Sequence, residues 1–100
     1  MTCQVIFEKQ AKKELENLKS KNKTLAKRII LSILRLKNNS NPVNSIALIG
    51  VKGFRRIRVG KYRIIYKIQK KTVGNENIIY IVLICKRDDV YKIFEKIIKK

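Results

Sequence analysis

The spacing of apolar residues changes near the middle of this chain, and that change limits the fold more than any single motif does. Up to residue 36 the apolar positions step by three and four. Phe7, Ala11, Leu15 and Leu18 make one helical stripe, with Lys9, Lys12, Lys13, Glu16 and Lys19 on the wet side. Leu25, Ile29, Ile33 and Leu36 make a second stripe, widened by Ile30 and Leu34. Ser20 to Lys23 is a polar break between them, with Asn22 or Thr24 as N-cap of the second helix, and Asn38-Asn-Ser-Asn-Pro42 stops that helix.

Beyond Pro42 the signals are those of strands. Ile46-Ala-Leu-Ile-Gly50 leads in. Phe54 to Val59 and Tyr62 to Ile68 flank Gly60-Lys61, a two-residue connection with glycine first, as a type II′ turn prefers. Thr72 to Asn77 is a second polar turn. Ile78 to Cys85 is a continuous apolar run, the pattern of a central strand covered on both faces. Val5-Ile-Phe7 adds a short first strand. Asp88 or Asp89 can cap a final helix striped by Val90, Phe94, Ile97 and Ile98. The expected order is β-α-α-β-β-β-α: an α+β fold with an N-terminal helical hairpin packed on an antiparallel sheet and a C-terminal helix. One hundred residues suit a single domain, residues 1–100, with one modest core.

Charge narrows the partners. Twenty-five Lys and Arg against seven acids give +18 at pH 7, which implies salt-sensitive attraction to polyanions, since each neutralised phosphate releases counterions. RNA, DNA, an anionic membrane surface and an acidic protein all qualify. An AT-rich genome would also raise Lys, Ile and Asn, but that explains lysine better than it explains clustered arginines. The longest apolar run, Ile78 to Cys85, is far shorter than the ~20 residues of a membrane span. The N-terminus lacks the pattern of a signal peptide, so a cytoplasmic protein with no membrane partner is expected. Cys3 and Cys85 stand far apart, as buried thiols of a reducing compartment would.

The arginines cluster on the expected hairpin. If Val59 and Tyr62 flank the turn, Arg58 faces Arg63 and Arg56 faces Ile65. Alternation then puts Arg56, Arg58 and Arg63 on one face and Ile57, Val59 and Ile64 on the other. Opposed like charges destabilise a hairpin, so a chain that keeps three guanidiniums together has either a solvated basic edge or an anion to place there. Arginine suits phosphate because its planar fork donates two parallel hydrogen bonds.

The run Arg56-Ile-Arg-Val-Gly-Lys-Tyr-Arg-Ile-Ile-Tyr66, followed by an apolar strand and Lys86-Arg87-Asp-Asp-Val-Tyr91, resembles the RelE/ParE toxin superfamily. The opening Val5-Ile-Phe, Ala11-x-x-Glu14-Leu15-x-x-Leu18 and Leu48-x-Gly50 are similar too, so the likeness covers essentially the whole chain. It implies a toxin of a type II toxin–antitoxin system and, in the RelE branch, a ribosome-dependent endoribonuclease acting on mRNA. By position, Arg56 and Arg58 match the basic residues of the first hairpin strand and Arg63 the arginine of the second. Arg87 matches the arginine ending the last strand, and Tyr91 the aromatic beyond it. The hairpin positions are lysines in RelE and arginines here, and the Arg87–Tyr91 spacing is shorter than in RelE. The resemblance also implies a cognate antitoxin, often acidic, that wraps the toxin.

Metal-free RNA cleavage uses the 2′-OH as nucleophile and leaves a 2′,3′-cyclic phosphate. It needs a base, an acid for the leaving 5′-oxygen and cations for the phosphorane. The chain has no histidine. The spacing of its acids suggests no Mg²⁺ site, and nothing suggests zinc, so no cofactor is expected. Arginine keeps its proton and is a poor base. Lys86, beside Arg87, is the candidate base, although strand neighbours ordinarily point to opposite faces; Lys52 is the reserve. Tyr91 can stack on a base, share proton traffic or simply pack. Two other readings stay open: the ParE branch, which poisons DNA gyrase, and a basic module that binds nucleic acid without catalysis.

Overall fold

A single residue, Asn22, separates two thirteen-residue helices, α1 (Lys9–Lys21) and α2 (Lys23–Arg35). Its side chain accepts the Leu25 N–H at 3.1 Å, so Asn22 is the N-cap of α2. In the computed structural model, which describes residues 4–40, 42, 44–48, 50–70, 77–86 and 92–95, the strands are β1 (Gln4–Phe7), β2 (Ser45–Ala47), β3 (Phe54–Val59), β4 (Tyr62–Lys70) and β5 (Asn77–Lys86). Residues 92–95 are helical. The α+β class is as expected, and the order gains one strand, β2, which forms in the lead-in segment and brings the sheet to five strands. Cys3, residues 71–76, the Asp88 or Asp89 cap, Val90, Ile97 and Ile98 lie outside the described residues.

The five strands form one sheet in the order β1-β5-β4-β3-β2. The β3–β4–β5 meander and the β2–β3 pair are antiparallel, whereas β1 lies parallel to β5, which makes the sheet mixed. The β3–β4 turn has Gly60 at φ 58, and among the described residues only glycines have positive φ. Lys61 therefore stays at negative φ, as a type II′ turn requires.

The helices pack on one face of the sheet. Ala11, Leu15 and Leu18 of α1 and Ala26, Ile29 and Ile33 of α2 meet Ile57, Val59, Ile64, Tyr66, Ile79, Ile81 and Ile84. The Tyr66 hydroxyl is satisfied inside this core by donating to the Ser40 carbonyl at 2.7 Å. Leu34 departs from the expected stripe: it is 46% exposed, and Leu31 is 53% exposed. Ala26, Ile29, Ile33 and Leu36 already fill the contact, and Leu34 points to water with Leu31, three positions away on the helix.

Gln10 completes a strand pairing that β1 does not reach. The parallel ladder ends near Phe7–Ile81. Further along β5, Gln10 donates from Nε2 to the Ile84 carbonyl (3.3 Å) and accepts at Oε1 from the Ile84 N–H (3.2 Å). A side-chain amide thus stands in for a peptide group at the sheet edge.

A smaller core lies on the other face: Ile65, Val82, Leu83, Cys85 and Phe94, with Leu48, Val51, Phe54, Tyr80 and Ile93 against it. Phe94 meets Phe54 edge to face, with ring centroids 5.2 Å apart. The β4–β5 register shifts between Ile65, which pairs with Leu83, and Tyr66, which pairs with Ile81. Val82 is the extra residue of this bulge, which is why Val82 and Leu83 both enter the smaller core.

Candidate functional site

The hairpin pairs Arg58 with Arg63 and Arg56 with Ile65, while Ile57 and Ile64 pair on the face covered by the helices. Strand alternation therefore sets Arg56, Arg58 and Arg63 on the face opposite α1 and α2. This is the arrangement expected from the two-residue turn.

The three arginines differ in what they offer a ligand. Arg58 is exposed and Arg56 half-buried. Arg63 is only 7% exposed, and its Nη1 donates to the carbonyls of Gly60 (3.2 Å) and Tyr62 (3.1 Å). The repulsion between paired arginines is relieved by turning one guanidinium onto carbonyl dipoles of the turn. Arg63 thus clasps the turn, a departure from the phosphate-facing side chain that the sequence suggests.

Lys86 also departs from expectation. It pairs with Tyr62, which packs against the helix-side core, while its neighbour Cys85 pairs with Arg63. Lys86 is exposed but starts on the face away from the arginines, because successive strand residues alternate. Lys52, the reserve, is exposed in the bend between Gly50 and Gly53. Arg87 and Tyr91 lie outside the described residues.

The sequence reading missed Lys67, which alternation along β4 places with Arg63 and Ile65 on the open face; its own partner is Phe54. Its Nζ sits 5.5 Å from the centre of the Phe54 ring, a cation–π contact. Counting by two from Arg63 was the available signal. Lys67 lines a concavity of about 530 Å³ with Glu8, Gln10, Phe54, Gln69 and Tyr80. Lys9 lines it too, so a carboxylate, two amines and two aromatic rings share one recess. Phe54, which pairs with Lys67, stands two residues from Arg56 on β3.

Tyr62, at the start of β4, has its phenol pushed above its ordinary value of 10.0, first by burial and then by the charges of Glu14 and Cys85. Such a group stays protonated at neutral pH. Among the described residues, no three His, Cys, Asp or Glu side chains gather as a metal site, and no helix is long and apolar enough to cross a membrane.

The family of the ParE toxin of type II toxin–antitoxin systems (parDE) matches residues 5–91. No curated protein matches the sequence. Among solved structures, RelE in the archaeal RelE–RelB complex from Pyrococcus horikoshii is 27% identical, with TM-score 0.68 over 87% of this chain and 97% of that one. The toxin in the RelB–RelE complex from Methanococcus jannaschii is 24% identical, with TM-score 0.64 over 86% and 94%. A YoeB/ParE toxin from Agrobacterium tumefaciens shares the fold at 11% identity, with TM-score 0.72 over 84% and 98%. With this sheet, this helical hairpin and a family match running from the first strand to Tyr91, the chain belongs to the ParE toxin family, a type II toxin of the RelE/ParE superfamily.

Proposed function

We propose that this toxin is a ribosome-dependent mRNA endoribonuclease. The observation that carries this reading is the set of arginines on the sheet face that the helical hairpin leaves open, with Lys67 and Glu8 in the recess alongside. The 27% identity to an archaeal RelE over most of the chain supports it. The 2′-OH attacks the adjacent phosphate and the 5′-oxygen leaves, with a 2′,3′-cyclic phosphate as product. Arg56 and Arg87 offset the charge that builds on the phosphorane, and Arg58, two residues from Arg56 at the sheet edge, meets the neighbouring phosphate. Arg63 acts as a positioning residue that holds the turn. Lys67 replaces Lys86 as the proton-handling group, because alternation along β4 sets it on the arginine face, and Glu8 lines the same recess as Lys67. Tyr91 stacks on or orients a base, as the resemblance to the superfamily implies. The ribosome positions the message, so a modest protein constellation suffices.

The partner is an acidic antitoxin. The archaeal relatives were solved as complexes with RelB, and a +18 surface steers an acidic polypeptide toward itself. The competing reading is gyrase poisoning, favoured by the ParE description of the matching family.

Primer extension on message in a reconstituted translation system tests both, with a gyrase supercoiling assay in parallel. Arg56→Ala/Arg87→Ala is the informative variant, since replacing Arg63 would also disturb the turn. Ribosome-dependent cuts should weaken by about 10²–10³-fold in that variant. Intact message with inhibited supercoiling would assign the chain to the gyrase branch. Intact message with active gyrase would leave a nucleic-acid binder.

A further inference from the structure

A second concavity lies at the sheet edge, away from the recess that holds Lys67. β2 ends its pairing at Ser45–Ile57, so Arg58 stands beyond the last rung. There, Arg58 and Asn44 meet Arg28, Ser32 and Arg35 of α2 around a volume of about 280 Å³. Arg28 and Arg35 are seven positions apart, about two helical turns, and Ser32 lies between them on the same side. The Arg28 Nη1 reaches the hairpin turn, 3.8 Å from where a Cβ on Gly60 would sit. Among the described residues lining this space there is no carboxylate.

Three guanidiniums around one small space repel one another, and an anion removes that cost. The remaining polar groups, a hydroxyl and an amide, can also donate. Five side chains that donate in different directions suit the oxygens of a phosphodiester. Arg58 is two residues from Arg56 along β3, roughly 6.6 Å at 3.3 Å per residue. The edge cavity and the open face are thus the ends of one cationic track around the sheet. A polymer with a phosphate at every unit can occupy both ends together, whereas a peptide presents carboxylates at irregular intervals.

We propose that this edge cavity is a second phosphate site that grips the RNA backbone away from the scissile bond, with Arg28 and Arg35 as its anchors. The identity of the polymer as RNA rests on the nuclease reading; the anion site itself rests on the cavity.

The test is fluorescence anisotropy of the full chain with a labelled twelve-nucleotide 2′-O-methyl RNA, which lacks the attacking hydroxyl and reports binding without cleavage. A twelve-residue polyglutamate peptide is the second probe. Arg28→Ala/Arg35→Ala leaves Arg58 to the open face, and both replaced residues are exposed, so melting temperature should hold. The expected result is about tenfold weaker RNA binding at low salt. The slope of log affinity against log salt should become shallower by about 1.4, at about 0.7 for each phosphate that is no longer neutralised. Arg28→Lys/Arg35→Lys should keep the slope and lose part of the affinity, because charge survives and the planar fork does not. If the alanine pair unfolds, the lysine pair still reads the site.

Unchanged RNA affinity in the variants, no RNA binding by the wild type, or a loss confined to polyglutamate would each overturn the proposal. Loss of RNA affinity in the variants, with no message cleavage by the wild type, would sink the nuclease reading and spare the edge site. The reverse pattern would sink the edge site alone.

Discussion

The two faces of the sheet are built from the same strands by different rules. On the helix side, residues such as Ile29, Ile33, Ile64, Ile79, Ile81 and Ile84 are almost completely buried in one continuous apolar cluster, and the buried Tyr66 hydroxyl has its partner. On the other side the core is smaller, and Phe94 closes its middle. Around it lie Arg56, Arg58 and Lys67, cations that suit an anionic ligand. The first face stabilises the fold, and the second gives part of its area to charge. That division fits the proposed function, in which the open face binds RNA while the helices hold the strands in register.

The largest effect that would break this comparison is on stability. Ile29→Ala, at 0% exposure in the helix-side core, should cost about 2–5 kcal/mol in urea unfolding. Arg56→Ala, half-buried on the open face, should cost less, within about 1 kcal/mol. Equal losses in the two variants would erase the distinction between the faces.

A smaller effect belongs to the seam where α1 meets β5. Gln10→Leu removes both hydrogen bonds to Ile84 and should cost about 2–3 kcal/mol, since a strand N–H and carbonyl lose their partner together. Hydrogen exchange should show the Ile84 amide losing protection first. Unchanged protection there would mean that water replaces the glutamine without penalty.

The smallest effect is on pH dependence. The Tyr62 pKa is raised in the folded state above 10.0, so the folded state resists ionisation more than the unfolded chain does. The stability linked to Tyr62 is complete below about pH 10 and is lost as pH rises toward the raised value. Wild type should therefore lose melting temperature more steeply than Tyr62→Phe above about pH 10. Parallel curves would mean that burial of this phenol contributes nothing to the stability of the helix side.

Much of this was legible in the chain because local rules decide it. Asn22 can cap because its side chain reaches an N–H three residues on. Gly60-Lys61 admits only a tight turn, and a two-residue turn pins the register, so the pairs Arg58–Arg63 and Arg56–Ile65 followed from counting. The site was less legible. Whether Arg63 points to a ligand or folds back on Gly60 and Tyr62 depends on carbonyls that exist only once the turn has formed.

The period change near residue 40, the helical stripes and the arginine hairpin were determined by the sequence alone, since each depends on neighbours a few residues apart. Contacts between distant segments belonged to the tertiary structure. Parallel pairing of β1 with β5 joins residues more than seventy positions apart, and no local pattern encodes it. The bulge at Val82 is hidden in a strand that is apolar on both faces, where alternation leaves no mark. Lys86 reached the helix side because its partner is Tyr62. Arg28 and Arg35 joined Arg58 only because α2 crosses the sheet at the edge where β2 stops. A side chain's face follows from its strand's partner, and the partner is chosen by the whole fold.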